Sequence, residues 1–537
     1  MALECIERIL DLPPEILLVC LSHVDLDDIR SCLKAGNRLL SGIILGSVQI
    51  QFRFEQAHAA VHENIFRDPM PSTSERLQEL RNREANWLNL TPISKTLVPF
   101  KFQPTGIYDL ASDVYSVFDY SEDSGRTKIK YTSLKYAERA PGAEWGEIET
   151  GKPIVDSGTA LSEHDLIAIA TRTPTADNDG LVDLQIMLLK FSTGEPHPLA
   201  ARPILQVHTV EAERGEPVML IDVLGDTLAF CVLYLNENFE DTNALYVYDW
   251  KTGRELIPPV PVDNIGFAFL TRDTLVVPSC TDEWIKVIQI RNASDERRNP
   301  PRNLLSLPTL ARGHLIISIQ TSGKSHPHTG GARPSHAHFI RRADESVILL
   351  SCEIHGRTGG PAVEPNVSRE TLVLSRPLLQ ALLSDPEVTL RSAFSEPIPW
   401  AKWGPRCARW LDCTRWATRY PLSSCGTRVV AVGADATPTI PVPIRVLDFN
   451  PMHVRCAPSA LAEVSIRVVG PTNLEAEEDR YVSASFEERL SSEVPYVEIT
   501  SKEVFAYGAL LINNEDLIGV TFQEDGYVKA LEFLHFG

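Results

Sequence analysis

The chain has 537 residues, of which 43% are apolar, and a net charge of −20 from 71 acidic and 51 basic residues. This length and apolar fraction suit several folded domains, or one small domain and one large one. The acidic balance argues against nucleic acid or an anionic membrane as the main partner, because both repel negative charge.

The amino terminus and the cysteines indicate an intracellular protein. Residues 1–5 lack the basic region that opens a secretory signal, and no apolar run reaches the length of a membrane span. The ten cysteines are scattered without a Cys-x-x-Cys pair, so we interpret them as reduced thiols. The sequence therefore predicts a cytoplasmic or nuclear protein that binds neither nucleic acid nor membrane.

The first predicted element is a short helix with an unbroken apolar run at residues 16–21. Pro13 and Pro14 fit its first turn, where a missing N–H costs nothing, and Glu15 lies near the positive end of the helix dipole. A second and a third short helix follow directly. So small a unit keeps much of its area exposed and cannot bury a helix that is apolar all round. The pattern therefore predicts a partner protein.

The residues of this stretch resemble an F-box, the adaptor-binding module of Skp–cullin–F-box ubiquitin ligases. The resemblance rests on Leu-Pro-x-Glu-Ile at 12–16, Val-x-Leu-x-Asp-Ile at 24–29, and Cys32, without the tryptophan that many F-boxes carry in the third helix. It assigns residues 1–46 to an F-box that would bind a Skp-type adaptor and, through it, a cullin. The adaptor-binding residues that it implies are Leu12, Pro13, Ile16, Leu17, Cys20, Leu21, Leu26 and Ile29. The alternative is an ordinary helical cap on the main domain.

A helical linker is predicted for residues 47–98. Apolar residues recur with helical spacing from Ile50 to Ile65, and Ser72 with Glu75 has the spacing of a capping box that begins another helix. The segment resembles the part that follows the F-box in a large group of mushroom-type (basidiomycete) fungal F-box proteins. The resemblance implies a stalk that joins the F-box to the remainder of the chain.

After Pro99 the chain becomes rich in proline and glycine, and short β-rich runs alternate with turn signals. An acidic or polar turn precedes an apolar run at several places, as in EHDLIAIAT at 163 and GDTLAFCVL at 225. A second motif, an aromatic residue followed by x-Thr-Gly, recurs at Phe191 and at Trp250. Such repeats indicate a series of similar antiparallel units.

Repeats of about 40 to 60 residues are typical of a β-propeller, in which a single blade cannot bury its own faces and blades stack around an axis. We therefore predict an α+β multidomain chain in which residues 99–537 form a large all-β domain. This domain would be a propeller of about six to eight blades that resembles WD-repeat and quinoprotein-like propellers, with the last strand closing the ring. A pair of β-sandwiches is the competing fold.

No catalytic motif is recognised: GxSxG, P-loop and HExxH patterns do not occur. The His-x-His pairs His326/His328 and His336/His338 contain zinc or copper ligands, but their Gly, Pro and Ser neighbours predict an exposed loop. The stretch 177–180, Asp-Asn-Asp-Gly, begins like a calcium loop but lacks the later glutamate. We therefore expect no metal, no cofactor and no catalytic residue.

Four tryptophans, half of the total of eight, fall between residues 400 and 416 among several arginines. We interpret them as core aromatics of one or two blades. The alternative is a recognition patch for an acidic or phosphorylated ligand, because Trp and Arg dominate binding hot spots. The candidate substrate-binding residues of such a patch are Trp403, Arg406, Arg409 and Trp410.

The sequence thus predicts a substrate receptor. The F-box would bind the adaptor, the propeller would hold a target protein, and proximity to the ligase would raise the effective concentration of the target. Two alternatives stay open: a propeller enzyme, such as a hydrolase or dehydrogenase with a helical cap, and a scaffold that binds the adaptor without a ligase role.

Overall fold

The computed structural model describes most of the chain. The described residues are 12–64, 69–111, 114–121, 125–133, 145–175, 178–234, 243–290, 302–323, 337–356, 366–386, 388, 396–411, 422–433, 440–458, 461, 463–472, 483–523 and 526–537.

Five helices come first, and we call residues 14–89 the helical module. Their bounds are Pro14–Ser22 (α1), Leu26–Lys34 (α2), Arg38–Gly46 (α3), Val48–Ala59 (α4) and Thr73–Asn89 (α5). The capping box predicted at the start of α5 is confirmed, because Ser72 Oγ accepts from the Glu75 amide over 3.3 Å and the Ser72 amide donates to the Glu75 carboxylate over 2.8 Å. In the described part of the chain, no helix combines the length and the apolar character needed to cross a membrane.

α4 is shorter than the apolar periodicity predicts. It ends at Ala59, because Ala60 adopts a left-handed backbone with φ of 53°. Val61–Glu63 then forms a strand that pairs with Phe339–Arg341. β-branched Val61 suits a strand as well as the continued helix, so tertiary pairing overrides the local pattern. Ile65, the predicted end of the stripe, lies outside the described residues.

Seven antiparallel sheets follow in the described residues, and the first four are meanders of four strands in chain order. Their strands are Pro104–Ala111, Val114–Ser121, Gly125–Ser133 and Gly146–Glu149 in sheet 1; Ile154–Ala160, Leu166–Thr175, Asn178–Lys190 and Ile204–Glu211 in sheet 2; Val218–Leu224, Thr227–Leu233, Ala244–Asp249 and Arg254–Pro261 in sheet 3; and Ala268–Thr271, Thr274–Ser279, Trp284–Gln289 and Arg302–Ser306 in sheet 4.

The last three sheets are less regular. Their strands, in spatial order, are His314–Ser322, Val347–Gly356, Asn366–Ser375 and Ala408–Leu411 in sheet 5; Ser423–Cys425, Arg428–Val432, Val442–Asp448, Tyr496–Phe505 and Val464–Val469 in sheet 6; and Ala509–Ile512, Asp516–Phe522, Val528–His535 and Ser94–Pro99 in sheet 7. Short α-helices between strands are Leu161–His164, Arg376–Leu383, Trp400–Cys407 and Pro451–Cys456.

The seven sheets form a closed ring. Each sheet shares a buried apolar cluster with the next, from sheets 1 and 2 through to sheets 6 and 7. A further cluster joins sheet 7 to sheet 1 through Val98, Val117 and Leu531. Such a circuit of stacked blades is a β-propeller, so the predicted fold is confirmed in preference to a pair of sandwiches. Ser94–Pro99, which lies within the predicted linker, closes the ring by pairing with the last strand.

The sequence repeats mark equivalent places in the blades. Asp165 and Asp226 each stand directly before the second strand of their sheet. The Phe191 amide donates to the Asp165 carbonyl over 2.7 Å, and the Trp250 amide donates to the Asp226 carbonyl over 3.1 Å. The same bond recurs in sheets 4, 6 and 7. Each repeat therefore ties the start of a second strand to a large apolar residue after the third.

The helical module lies on one face of the ring. Because neighbouring strands are antiparallel, turns after the first and third strands of each sheet lie on one face, and the other connections lie on the opposite face. Arg83 of α5 donates to the carbonyl of Asn514, in the first turn of sheet 7, over 2.8 Å. Asn450, after the third strand of sheet 6, donates to the carbonyl of His58 over 2.7 Å. We call this side the module face and the other side the opposite face.

Candidate functional site

α1 has one buried apolar face and one exposed apolar face. Leu17 and Leu21 are buried, whereas Ile16 is 47% and Val19 is 57% exposed, and Cys20 is exposed beside them. An apolar surface that is exposed to water on adjacent turns of a helix costs free energy. Such a surface marks an interaction site when no part of the same chain covers it.

The eight predicted adaptor-binding residues form two groups in the structure, one at the surface and one buried. Exposed or half-buried are Leu12, Pro13, Ile16, Cys20 and Leu26. The other three, Leu17, Leu21 and Ile29, are buried inside the helical module. Their assignment as adaptor contacts is therefore corrected: a side chain that already packs against the neighbouring helices has no surface left for a partner.

Arg53 of α4 holds the end of α1. Its Nη1 donates to the carbonyl oxygens of Leu21 and Ser22 over 3.1 and 3.0 Å, and its Nη2 donates to that of Val24 over 2.7 Å. The last carbonyls of a helix have no partner within the helix and carry the negative end of its dipole, so a guanidinium is well placed there. The exposed face of α1 is thereby presented in a fixed orientation.

Buried charges attach the other end of the module to the ring, and we call Glu84, Arg428, Asp448 and His453 the seam network. The Glu84 carboxylate of α5 lies 2.5 Å from Arg428 Nη2, and Arg428 Nε lies 3.2 Å from Asp448. His453 Nδ1 lies 2.8 Å from the same Asp448 oxygen. Arg83 forms a further ion pair with Glu84. The module therefore meets the ring through buried side chains of opposite charge that pair with one another.

Both carboxylates of the seam network are held in the charged form. Burial alone would raise the pKa of Glu84, but Arg428, Arg83 and other cations outweigh it and lower the pKa to about 2. Burial would also raise the pKa of Asp448, but His453 and the nearby arginines bring it well below its usual value. Opposite charges at this range favour the ionised form more than burial opposes it. Glu84, Asp448 and Arg428 are therefore all charged at neutral pH.

Aromatic side chains complete this attachment. Trp87 of α5 stacks on Phe536, with ring centroids 4.2 Å apart, and the Arg428 guanidinium lies over the Trp87 ring at 4.6 Å. The sequence analysis did not predict this seam, because its members come from α5 and from distant blade segments. A charged residue inside a β-rich run, such as Arg428 before its valines, was the available hint.

The tryptophan and arginine cluster does not form a surface patch. Trp403 and Trp410 are 0% and 5% exposed, and they belong to the apolar cluster between sheets 4 and 5. Arg409 is buried and donates to two backbone carbonyls of the chain around sheet 6, so of the four candidates Arg406 alone is exposed. The candidate patch is therefore corrected to core aromatics, the first interpretation. Trp416 lies outside the described residues.

The possible metal ligands are not assembled in the part of the chain that the structure describes. His326, His328 and His336 lie outside it, and His338 Nδ1 lies 3.6 Å from Glu79. No group of three or more His, Cys, Asp or Glu among the described residues could hold a metal ion. Asp177 lies outside the described residues, and Asn178–Gly180 begin the third strand of sheet 2, in which Asn178 pairs with Thr175 of the second strand.

No family model matches this chain, and no curated protein matches it. Among solved structures it is similar to the β-propeller domain of the Trilobed protease from Pyrococcus furiosus, at 7% identity over 81% of this chain and 93% of that one, with a TM-score of 0.37. It is also similar to the N-terminal domain of Nup159, at 11% identity over 82% and 95%, with a TM-score of 0.33. The WD40 domain of SCAP from fission yeast follows at 9% identity over 74% and 82%, with a TM-score of 0.29. The fold assignment rests on the strand pairings of this chain.

Proposed function

We propose that the chain is an F-box substrate receptor that links a target protein to a Skp–cullin–F-box ubiquitin ligase. The observation that carries the proposal is the exposed apolar face of α1, formed by Ile16, Val19 and Cys20 at the free end of the helical module. The F-box resemblance assigns an adaptor to that helix. Without the three buried residues, the proposed adaptor-binding face consists of Leu12, Pro13, Ile16, Cys20 and Leu26.

The arrangement of the two parts supports this role. The helical module occupies the module face, on which Asn450 contacts His58, and a target would bind the opposite face. The seam network fixes the module to the ring, and Arg53 fixes α1 within the module. A rigid connection of this kind keeps the target at a constant distance from the adaptor, which is what transfer by proximity requires.

Coexpression with a Skp-type adaptor tests the proposal. The full chain should copurify with the adaptor as a 1:1 complex, and a chain without residues 1–46 should not, while its ring unfolds at an unchanged temperature. Without the adaptor, the full chain should be poorly soluble, because α1 exposes aliphatic side chains.

The point variant Ile16→Asp should also lose the adaptor. Its matched control is Leu199→Asp, which puts the same charge on an apolar side chain of the ring that is 56% exposed. It should leave adaptor binding unchanged. A soluble full chain that shows no affinity for any Skp-type adaptor in a pull-down contradicts the proposal.

A further inference from the structure

Two histidines meet where the end of α4 contacts the ring. The centroid of the His58 ring in α4 lies 4.9 Å from that of His453, and the two ring planes are tilted by 54°. His453 belongs to Pro451–Cys456, the short helix that follows the third strand of sheet 6. Asn450 caps that helix and also donates to the His58 carbonyl over 2.7 Å. The helical module and the ring are therefore connected here by a backbone hydrogen bond and by a contact between two imidazole rings.

The two histidines differ in their polar partners. His453 Nδ1 lies 2.8 Å from Asp448, and His453 Nε2 lies 3.8 Å from Glu84. A proton on His453 would therefore face two carboxylates. The His58 ring, by contrast, makes no hydrogen bond and no ion pair with any residue that the structure describes. A proton on His58 would have no such partner.

The carboxylates near His58 are already paired with other cations. Their pairs are Glu55 with Arg81, Glu84 with Arg428 and Arg83, and Asp448 with Arg428 and His453. A further cation reaches the end of α4, because Arg341 Nη1 donates to the Ala59 carbonyl over 3.2 Å. A half-buried charge without its own counter-ion costs free energy. The surroundings of His58 therefore suit a neutral ring.

The same balance determines how acid acts on this contact. Burial lowers the pKa of His58 below its usual value of 6.5, and His453 lowers it further, whereas Glu55, Glu84 and Asp448 raise it by less. A histidine with a lowered pKa takes up its proton more readily in the unfolded chain, so acid favours unfolding. The contribution of neutral His58 to stability is therefore complete above pH 6.5 and is lost as the pH falls below that value.

We propose that the contact between His58 and His453 is an acid-sensitive attachment of the helical module to the ring. A proton on His58 places a half-buried positive charge beside the His453 ring, and every nearby carboxylate is already paired. The contact between α4 and Pro451–Cys456 then loosens. The ion pairs of Glu84 keep α5 in place, since that carboxylate stays charged in the same range of pH. In mildly acidic solution the end of α4 separates from the ring, and α5 remains attached.

This inference goes beyond the proposed function and does not depend on it. The contact lies within one chain, so it can be tested without an adaptor or a target. In a substrate receptor, it would make the orientation of α1 sensitive to pH, because Arg53 of α4 holds the end of α1. Failure of adaptor binding would therefore leave this proposal standing, and failure of this proposal would leave the adaptor-binding role untouched.

The first experiment measures how stability depends on pH. The free energy of unfolding of the full chain, measured with urea from pH 7.5 to pH 5.5, should fall more steeply for the parent than for His58→Gln. The linkage relation limits the difference between the two slopes to about one proton per chain. Burial also lowers the pKa of His164 and of His208, but these residues are present in both chains, so the difference isolates His58.

The matched control is His23→Gln, which removes an exposed histidine of the same module and should keep the slope of the parent. If His58→Gln unfolds the module, His58→Phe takes its place, because it keeps an uncharged ring beside His453. Equal slopes in the parent and in either His58 variant overturn the proposal.

The second experiment locates the effect. Amide hydrogen exchange, corrected for its intrinsic dependence on pH, should speed up in acid at the last turn of α4 and in Pro451–Cys456 of the parent, but not in α5 or in sheets 1 to 4. The His58→Gln chain should show no such change in either helix. Acid-induced exchange that is the same in both chains, or that spreads evenly over the ring, contradicts a local attachment through His58.

Discussion

The two ends of the helical module use opposite chemistry. At the ring, α5 places Glu84 between arginines, and its carboxylate is buried but paired. At the free end, α1 leaves Ile16 and Val19 exposed, and none of the residues that the structure describes covers them. Buried charges are tolerated when they are paired, and they require a specific orientation, whereas exposed apolar groups lower the free energy by finding any complementary surface. The inner end therefore fixes the orientation of the module on the ring, and the outer end presents an apolar surface to which a partner could bind.

The largest expected effect comes from breaking the inner end. Arg428→Ala would leave Glu84 and Asp448 buried without their shared cation, which typically costs about 3–5 kcal/mol. Urea unfolding should show a loss of this size in the free energy of unfolding. Arg455→Ala, at an exposed arginine of the adjacent helix, should change it by less than about 0.5 kcal/mol. A similar free energy of unfolding in both variants would show that the seam network does not stabilise the folded chain.

Acid should weaken the same end. The pKa of Glu84 is about 2 in the folded chain and 4.5 in the usual case, so its contribution is complete above pH 4.5 and is lost as the pH falls toward 2. The contribution amounts to at most about 3 kcal/mol. The free energy of unfolding, measured from pH 7 to pH 3, should fall less steeply for Glu84→Gln than for the parent chain. Parallel curves would show that Glu84 has no depressed pKa.

The ring was predictable because its repeats have a physical cause. The hydrogen bond from the Trp250 amide to the Asp226 carbonyl and its equivalent at Phe191 require the same turn in each blade, and the sequence shows that turn. Sheets 6 and 7 keep the bond through Phe449 and Phe536. Their spacing is hidden by the long segment that includes Val464–Val469 and by the closing strand from residues 94–99. The blade number could therefore not be read from the sequence.

The candidate sites were harder to predict than the fold. Ile16 and Leu17 are neighbours with similar side chains, yet one is exposed and the other is 2% exposed. In a helix that is apolar on every side, periodicity carries no information about which face is covered. Glu84 pairs with its neighbour Arg83 but also with Arg428, which is 344 residues away in the sequence, and a single sequence does not reveal such distant partners. Their identity depends on ring closure and on the position of α5.

A smaller effect on stability, but a clear one on binding, is expected at the outer end. Ile16→Asp puts a charge into a surface that a partner would desolvate, so adaptor affinity should fall by at least about 100-fold in a pull-down titration. The melting temperature of the ring should not change, since Ile16 is 47% exposed and is not a member of the seam network. Leu17→Asp should instead unfold the module. Unchanged adaptor affinity in Ile16→Asp would mean that α1 does not bind the adaptor and is an ordinary helical cap on the main domain.

The smallest effect is expected at the contact between Arg53 of α4 and the end of α1. Arg53→Gln removes a charge-assisted set of bonds to the carbonyls of Leu21, Ser22 and Val24. Such bonds are worth about 1–3 kcal/mol, but only the last turn of α1 would lose them. Amide hydrogen exchange should therefore speed up in α1 and not in the ring.

Adaptor affinity provides a second measure of the contact between Arg53 and the end of α1. If Arg53 presents α1 in advance, its loss should weaken adaptor affinity by about 2- to 10-fold, because the partner must then order the helix end. Arg81→Gln provides the control, since Arg81 pairs with Glu55 on the same module, 2.8 Å away, without touching α1. Faster exchange in α1 with no loss of affinity would mean that the adaptor does not use this helix, even though its apolar face is exposed.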